Sequence, residues 1–214
     1  MTEWERASWR ASAAELHALE LPSSGRGLWV LEADAPALVL GSTQPDADAD
    51  AERCAAEGVA VVRRRSGGGA VLVGPGECTW IDVLVPRGDP LWHDDVGRAA
   101  WWLGEAWCAA LAAIGLPRCT VHRGPMVRTP WSAVVCFAGL GPGEVVDERG
   151  AKVVGISQRR TRSMARFQCA VPTRWAPERM TALLTARPPA DALPPVGAVS
   201  ADGLVEAFAA AIGA

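Results

Sequence analysis

Hydrophobic positions along the chain recur with helical spacing in several segments, and these segments predict the helices. Residues Trp4 to Leu19 alternate charged and apolar side chains at helical spacing, which predicts an opening amphipathic helix. Apolar residues fill Asp94 to Ile114 and stop at Gly115, which predicts a long helix buried on more than one side. Further helices are predicted at 46–58, at about 175–185 and at 200–212.

Shorter apolar runs predict strands. GLWVLE (27–32) and ALVLG (37–41) are interpreted as a hairpin-like pair. Residues 144–160 are interpreted as a strand, a tight turn and a second strand. Other strands are predicted at 59–65, 70–73, 78–86, 119–125, 132–139 and 165–172. Because strands come in runs between helices, the order indicates an α/β fold of the α+β type, with a mixed, largely antiparallel sheet flanked by helices.

Composition narrows the class of protein. The length of 214 residues fits one domain, and half of the residues are hydrophobic, which is enough for a core. The net charge of −3 argues against a nucleic-acid-binding protein, which is usually more basic. The arginine runs at 63–65 and 159–162 are short, and three Phe with no Tyr offer little for stacking on bases.

Cysteine spacing and hydropathy indicate the cellular compartment in which the protein works. The six cysteines form no CxxC pair, so their spacing indicates neither a metal site nor a disulfide framework. The first ten residues are charged and lack the apolar run of a signal peptide. No apolar stretch approaches the ~20 residues that span a bilayer. We therefore expect a reduced, cytoplasmic protein with no membrane or nucleic-acid partner.

One lysine stands out among the basic residues. Of the 21 basic residues, all are arginine except Lys152. Arginine supplies charge equally well, but only lysine can lose its proton when it is desolvated. The single lysine therefore indicates a catalytic role at position 152. The alternative is that one lysine occurs there by chance.

The stretch RRRSGGGAV, residues 63–71, is a candidate binding loop. It lacks the lysine of a P-loop, and it leads into an apolar run typical of a strand rather than into the helix of a dinucleotide site. Three glycines allow the backbone to approach a ligand closely and aim N–H groups at it. From the residues alone, this stretch is consistent both with the wall of a binding pocket and with a simple turn.

Cys136 is a candidate nucleophile. It ends an apolar run just before the glycine-rich segment AGLGPGE (138–144), where a thiol can be exposed. Lys152 follows sixteen positions later, across that loop and a turn, so the two side chains can return to one region. A cysteine beside a cation is the arrangement that thioester exchange requires. The alternative is a thiol packed in the core.

Three blocks together resemble the lipoate–protein ligase and octanoyltransferase family, which shares its catalytic domain with biotin ligases. They are RRRSGGGAVLVGPGE (63–77), VCFAG (135–139) and GAKVVGISQRR (150–160). The resemblance covers most of the chain and implies a single catalytic domain over residues 1–214, with no C-terminal lid domain. It also implies that the sheet wraps around an acyl tunnel.

The resemblance assigns roles to individual residues. It makes Lys152 the catalytic lysine of the family and Cys136 the nucleophile of its cysteine-type transferases. The residues that it assigns to substrate binding are Arg64, Ser66, Gly67, Gly68, Gly69, Ala70, Gly155, Ser157 and Gln158.

Two chemistries remain open within the family. A transferase would take octanoyl from acyl carrier protein, hold it as a Cys136 thioester and pass it to a lysine of a lipoyl-domain protein, with no cofactor. A ligase would use ATP and Mg²⁺ to form an acyl-adenylate, and a separate subunit could supply its lid. A non-catalytic acyl-binding relative is the third alternative. We expect the transferase.

Overall fold

Seven strands form the larger of two sheets in residues 3–214, the part of the chain that this computed structural model describes. The strands are β1 (Trp4–Ala11), β2 (Arg26–Ala33), β6 (Cys78–Pro86), β7 (Thr120–Val121), β8 (Val145–Val146), β9 (Lys152–Arg160) and β10 (Met164–Pro172). Their order in the sheet is β1-β2-β6-β10-β9-β8-β7. Only the β1–β2 pair is parallel among these described strands, which confirms a mixed, largely antiparallel sheet.

A smaller sheet lies over one face of the larger one. It consists of β3 (Ala37–Leu40), β4 (Ala60–Arg63) and β5 (Val71–Val73). The central strand β3 runs parallel to β4 and antiparallel to β5. The helices are α1 (Ala13–Ala18), α2 (Ala51–Ala56), α3 (Trp101–Ala113), α4 (Pro177–Ala182) and α5 (Leu204–Ile212).

Alternation along β6 divides the core between the two faces of the large sheet. Ile81 and Val83 belong to an apolar cluster with α3 and α5, where Trp107 stacks on Phe208 with ring centroids 4.0 Å apart. Trp80 lies on the other face, in a cluster with α1 and with strands β3 and β5 of the small sheet. Successive side chains of a strand point to opposite faces, so the same strand supports two separate layers. The space between the two sheets is where the candidate site lies.

The opening helix predicted at Trp4 to Leu19 is wrong over its first half. Residues Trp4–Ala11 form β1, at the edge of the sheet, and the helix begins only after Ser12. Ser12 caps it with a reciprocal bond to Glu15, a capping box. Because an edge strand buries few side chains, the apolar positions of β1 are sparse enough to imitate helical spacing, while β2 supplies the backbone partners.

The hairpin predicted from residues 27–32 and 37–41 is also wrong, although both strands exist. β2 pairs with β1 and β6 in the large sheet, whereas β3 pairs with β4 and β5 in the small one. The short connection therefore crosses between the sheets. Both strands are nearly continuous apolar runs, which is typical of strands buried on both faces rather than of a two-stranded hairpin.

The strand predicted at 132–139 is the third error. This segment consists of turns, in which Thr129 and Ser132 bond each other, followed by a 3₁₀ turn at Cys136–Ala138. A single bridge between Ala70 and Val135 is its sheet-like contact. By contrast, the strand at 78–86 and the strand–turn–strand at 144–160 are confirmed.

Candidate active site

A narrow, mostly apolar cavity lies between the two sheets. It has about 440 Å³ of empty space, counting its open mouth. Val71 and Val73 come from the small sheet, and Trp80, Gly155 and Ala170 come from the large sheet. Its apolar walls suit a hydrocarbon chain better than a charged metabolite.

The glycine loop forms part of the cavity's surroundings by bringing two segments close together. A side chain at Gly69 would lie 2.7 Å from the backbone of Val135, so glycine is needed for the close approach of the two segments. The Ala70 N–H donates to the Val134 carbonyl at 2.8 Å, and the Cys136 N–H donates to the Ala70 carbonyl at 2.9 Å. Gly68 has φ of +103°, a conformation that favours glycine. The loop thereby fixes the turn that carries Cys136.

Arg64 lines the cavity and also holds the loop. Its side chain is buried, and its guanidinium donates to the carbonyls of Val39 at 3.1 Å, Gly67 at 2.8 Å and Gly69 at 2.8 Å. Three backbone acceptors in a low-dielectric setting orient the guanidinium firmly. The arginine therefore stabilises the conformation of the loop.

A chain of hydrogen bonds crosses from the loop to the large sheet. The Ser66 hydroxyl donates to Gln168 Oε1 at 2.9 Å and lies 2.9 Å from the Ser157 hydroxyl. Gln168 Nε2 lies 3.2 Å from Nδ1 of His17 on α1. Buried polar groups without partners are costly, so this chain fixes four side chains in mutual register.

Cys136 lies at the first position of its 3₁₀ turn, and the cavity extends to it. A side chain placed at Gly68 would lie 3.9 Å from Cys136 Sγ, so the thiol faces the glycine loop. The ring of Phe137 also borders the cavity, 3.2 Å from where a side chain at Gly155 would begin. Glycine at 155 therefore leaves room for Phe137 beside the thiol.

Lys152 lies next to this turn and is almost fully buried, with 4% exposure. Its ammonium contacts Glu144 Oε2 at 2.7 Å and donates to the carbonyls of Gly139 at 3.0 Å and Cys136 at 3.2 Å. These three acceptors use its three N–H donors. The ammonium also lies 5.0 Å from the centre of the Phe137 ring. In this arrangement Lys152 is a charged anchor for the segment around Cys136.

Glu144 was missed by the sequence reasoning, although it sets the environment of Lys152. Its carboxylate accepts from the Gly141 N–H at 2.6 Å and the Ile156 N–H at 3.0 Å. It also pairs with the ammonium. The signal in the sequence was an acidic residue immediately before the strand pair at 144–160. His17 and Gln168 were missed as well, since they lie far apart in sequence.

The structure brings most of the sequence-predicted residues together and leaves one apart. Gln158 lies on the opposite face of the large sheet from Ser157, and its Nε2 donates to the Val96 carbonyl at 2.8 Å. It does not line the cavity between the sheets. The alternation of strand side chains explains this, since residues 157 and 158 must face opposite ways.

Residues 3–214 contain neither a membrane-spanning helix nor a cluster of metal-binding side chains. Within that range, no helix is long and apolar enough to cross a membrane. The same residues contain no group of three or more His, Cys, Asp or Glu side chains placed to hold a metal ion.

Comparison with known proteins gives one family. Residues 8–200 match the model of the lipoyl protein ligase A/B catalytic domain. No curated protein matches the chain.

Solved structures share the fold at low sequence identity. A bi-partite lipoate protein ligase of Thermoplasma acidophilum, described with its E2 lipoyl domain, is 15% identical with a TM-score of 0.75, over 100% of this chain and 83% of that one. A putative lipoate protein ligase of the same organism with bound lipoic acid is 16% identical, with a TM-score of 0.68, over 89% and 72%. Lipoate-protein ligase A bound with ATP is 17% identical, with a TM-score of 0.67, over 89% and 72%. This likeness shows a lipoate ligase-like fold.

Proposed function

The chain belongs to the lipoyl protein ligase A/B catalytic domain family, and from this membership we propose that it moves an octanoyl or lipoyl group, through a thioester on Cys136, onto a carrier-domain lysine. Membership itself makes the chain an enzyme of lipoyl transfer or ligation. The thioester is the finer step, and the position of one thiol supports it.

The supporting observation is that Cys136 is one of the residues that line the apolar cavity. An acyl chain lying in the cavity would place its carbonyl carbon beside the sulfur, since the thiol lies among the lining residues with Phe137 and Gly155. A nucleophile held beside a bound acyl chain meets its carbonyl in a fixed orientation.

The proposed reaction has two balanced steps. The Cys136 sulfur attacks the carbonyl carbon of an octanoyl thioester on acyl carrier protein. A new carbon–sulfur bond forms, the old one breaks, and the carrier thiol leaves with the proton. The amine of a lipoyl-domain lysine then attacks the enzyme thioester, a carbon–nitrogen bond forms and the carbon–sulfur bond to Cys136 breaks. The leaving sulfur of Cys136 takes up the proton released by the amine.

Lys152 acts in this proposal by holding the reacting segment. Its Nζ lies 2.7 Å from Glu144 Oε2, and two backbone carbonyls accept its other hydrogens, so the geometry favours a positioning and electrostatic role over a general base. Its bonds to the carbonyls of Cys136 and Gly139 keep the 3₁₀ turn in place. Its positive charge also favours an oxyanion that develops nearby.

The loop residues form the wall of the acyl site in this proposal. Gly67, Gly68, Gly69 and Ala70 carry the backbone past the thiol, while Arg64 donates to the carbonyls of Gly67 and Gly69. Ser66 and Ser157 bond each other and fasten the loop to the large sheet. Gln158 lies on the opposite face of the large sheet and donates to the Val96 carbonyl before α3.

An ATP-dependent ligase is the second candidate, and a specific observation favours it. An open groove of about 1280 Å³ adjoins the loop at Gly68 and is lined by Arg128, Thr129 and Ser132. That space and its arginine suit a nucleotide. In this candidate, Mg²⁺ would come to the groove on the nucleotide's phosphates.

Intact mass after incubation with octanoyl-acyl carrier protein distinguishes the two chemistries. The transferase predicts a mass increase of one octanoyl group without ATP, and loss of the adduct in Cys136→Ser. Cys119→Ser is the matched control, because that thiol is also partly exposed but lies outside the cavity. Adding a lipoyl domain should discharge the adduct.

Opposite results would support the ligase. ATP-dependent pyrophosphate release with free octanoate, and full activity of Cys136→Ser, would show an adenylate route with no enzyme thioester. A retained acyl ligand with no turnover by either route would show a binding protein. A Lys152→Arg variant with full activity would remove the role given to Lys152.

A further inference from the structure

His17 is one of the residues that line the acyl cavity, and it lies there among mostly apolar neighbours such as Val73 and Trp80. Its ring lies against Trp80, with centroids 4.6 Å apart, and the side chain is 8% exposed. Its Nε2 atom has no hydrogen-bond partner within residues 3–214. A buried N–H without a partner is destabilising unless something else fills the role. In a cavity built for a ligand, the missing partner is an atom of that ligand.

The hydrogen-bond chain behind His17 decides which ring nitrogen carries the proton. The Ser66 hydroxyl donates to Gln168 Oε1, so the other amide atom of Gln168, Nε2, is the donor toward His17. Nδ1 of His17 therefore accepts, and Nε2 keeps its hydrogen. The free group in the cavity is thus a hydrogen-bond donor.

The ring of His17 stays neutral at ordinary pH. Burial, and then the positive charges of Arg166 and Arg64, lower the pKa of His17 to about 3. A charged ligand group would gain nothing from an ion pair here. The group is suited to a neutral acceptor atom instead.

The position of His17 corresponds to the far end of an acyl chain. Gly155, Ala170 and Trp80 form one row across β9, β10 and β6, so Trp80 lies two strand spacings, about 10 Å, from Gly155. A straight eight-carbon acyl chain spans roughly 9 Å from its carbonyl carbon to its last carbon. With the carbonyl beside Cys136 and Gly155, the tail carbons lie beside Trp80 and His17.

We propose that His17 determines acyl specificity by donating a hydrogen bond from Nε2 to an acceptor atom near the distal end of the acyl chain. The inference rests on the proposed acyl function of the cavity. A dithiolane sulfur is a weak acceptor, whereas an octanoyl tail has none. A site built to bond a substrate atom discriminates against the analogue that lacks it. The enzyme should therefore prefer lipoyl over octanoyl groups.

Competition in one tube tests the preference. Equal amounts of lipoyl and octanoyl donor are supplied, as carrier-protein thioesters and separately as free acids with ATP, and the products on a lipoyl domain are counted by intact mass. His17→Phe keeps a planar ring but removes the donor. We expect its lipoyl-to-octanoyl ratio to fall about tenfold from the wild-type value, a factor that corresponds to about 1.4 kcal/mol.

An isosteric pair separates hydrogen bonding from shape. 6-Methoxyhexanoate has the outline of octanoate with one ether oxygen near its tail, so its use relative to octanoate should also fall in His17→Phe. His17→Gln, which keeps an N–H donor, should retain part of the preference. His93→Phe is the matched control, because His93 is exposed and lies outside the cavity.

Ratios within one tube do not depend on how much of a variant is folded. Equal ratios in wild type and His17→Phe, with acyl transfer still occurring, would overturn the role of His17 and leave the acyl function standing. No acyl transfer from any donor in the wild type would overturn the proposed function, and this inference with it.

Discussion

The two faces of the large sheet use the same strands but bury different chemistry. Toward α3 and α5, Ile81 and Phe167 pack into an apolar cluster. On the face toward the small sheet, Asp82 pairs with Arg166, and Gln168 joins the hydrogen-bond chain of the cavity. The strands β6 and β10 alternate between the two kinds of residue along their length.

The difference separates what stabilises the fold from what positions the site. Apolar burial is favourable without directional partners, so the helix face needs only volume and shape. A buried polar group is tolerated only while every partner is in place, so the cavity face is ordered by its hydrogen bonds. Changes on the helix face should therefore reduce stability alone, and changes on the cavity face should also reduce function.

The largest expected effect is on the helix face. Phe208→Ala removes a fully buried ring stacked on Trp107, which should lower the free energy of unfolding by about 3–5 kcal/mol. Urea unfolding at constant pH measures it. Acyl transfer per folded molecule, measured below the unfolding transition, should stay at the wild-type value.

Phe208→Leu is the control for this change. It keeps most of the buried volume and should have a much smaller effect on the unfolding free energy. A large drop in acyl transfer per folded molecule in Phe208→Ala would mean that the two faces are coupled. Stability and function would then not be separated between the helix face and the cavity face.

A smaller loss of stability with a larger loss of function is expected from Glu144→Gln beside the cavity. Both carboxylate oxygens accept hydrogen bonds, so either orientation of the new amide turns its NH₂ group toward a donor. Lys152 also loses its counter-charge while it remains buried. We expect the free energy of unfolding to fall by about 2 kcal/mol, and acyl transfer per folded molecule to fall at least tenfold. Urea unfolding and the transfer assay measure the two effects.

Glu77→Gln is the matched control, since Glu77 is also buried and paired with two arginines. Its partners Arg174 and Arg179 keep contact with solvent, so water can solvate their guanidinium groups when the carboxylate charge is removed. Glu77→Gln should leave acyl transfer unchanged. Equal losses of transfer in both variants would show that Glu144 has no special place beside the site.

The sequence was informative where a local pattern decided the structure. The strand at 78–86 is a long apolar run closed by Pro86, and the turn at 148–150 carries its own glycine, so both were predicted correctly. The strand at Trp4–Ala11 was mistaken for a helix, because its backbone partners lie in β2 and leave no local trace.

The candidate site shows the same division. The glycine loop, Cys136 and Lys152 are visible as blocks of sequence. His17, Glu144 and Gln168 meet them only through the pairing of β6, β9 and β10 and the placement of α1. No spacing rule connects residues 17 and 168. Partners that come together through sheet register are therefore found from the structure.

The smallest effect concerns pH and again involves the cavity face. A histidine in an unfolded chain has a pKa of about 6.5, and the fold lowers that of His17 to about 3, chiefly by burial. Below about pH 6.5 the unfolded state takes up a proton that the folded state does not. The stabilisation linked to neutral His17 is therefore complete above pH 6.5 and is lost as pH falls from about 6.5 toward 3.

The slope of this loss is at most about 1.4 kcal/mol per pH unit, and His17→Gln should remove it because glutamine does not titrate. Urea unfolding of both proteins at pH 7.5, 6.0 and 5.0 measures the difference between them. As the pH falls, the unfolding free energy of the wild type should decrease more than that of His17→Gln. A difference in unfolding free energy that stays constant over this range would mean that the fold leaves the pKa of His17 unshifted. The ring would then take up a proton in the folded protein as the pH falls, and the cavity face would not hold it as the neutral donor on which acyl selection depends.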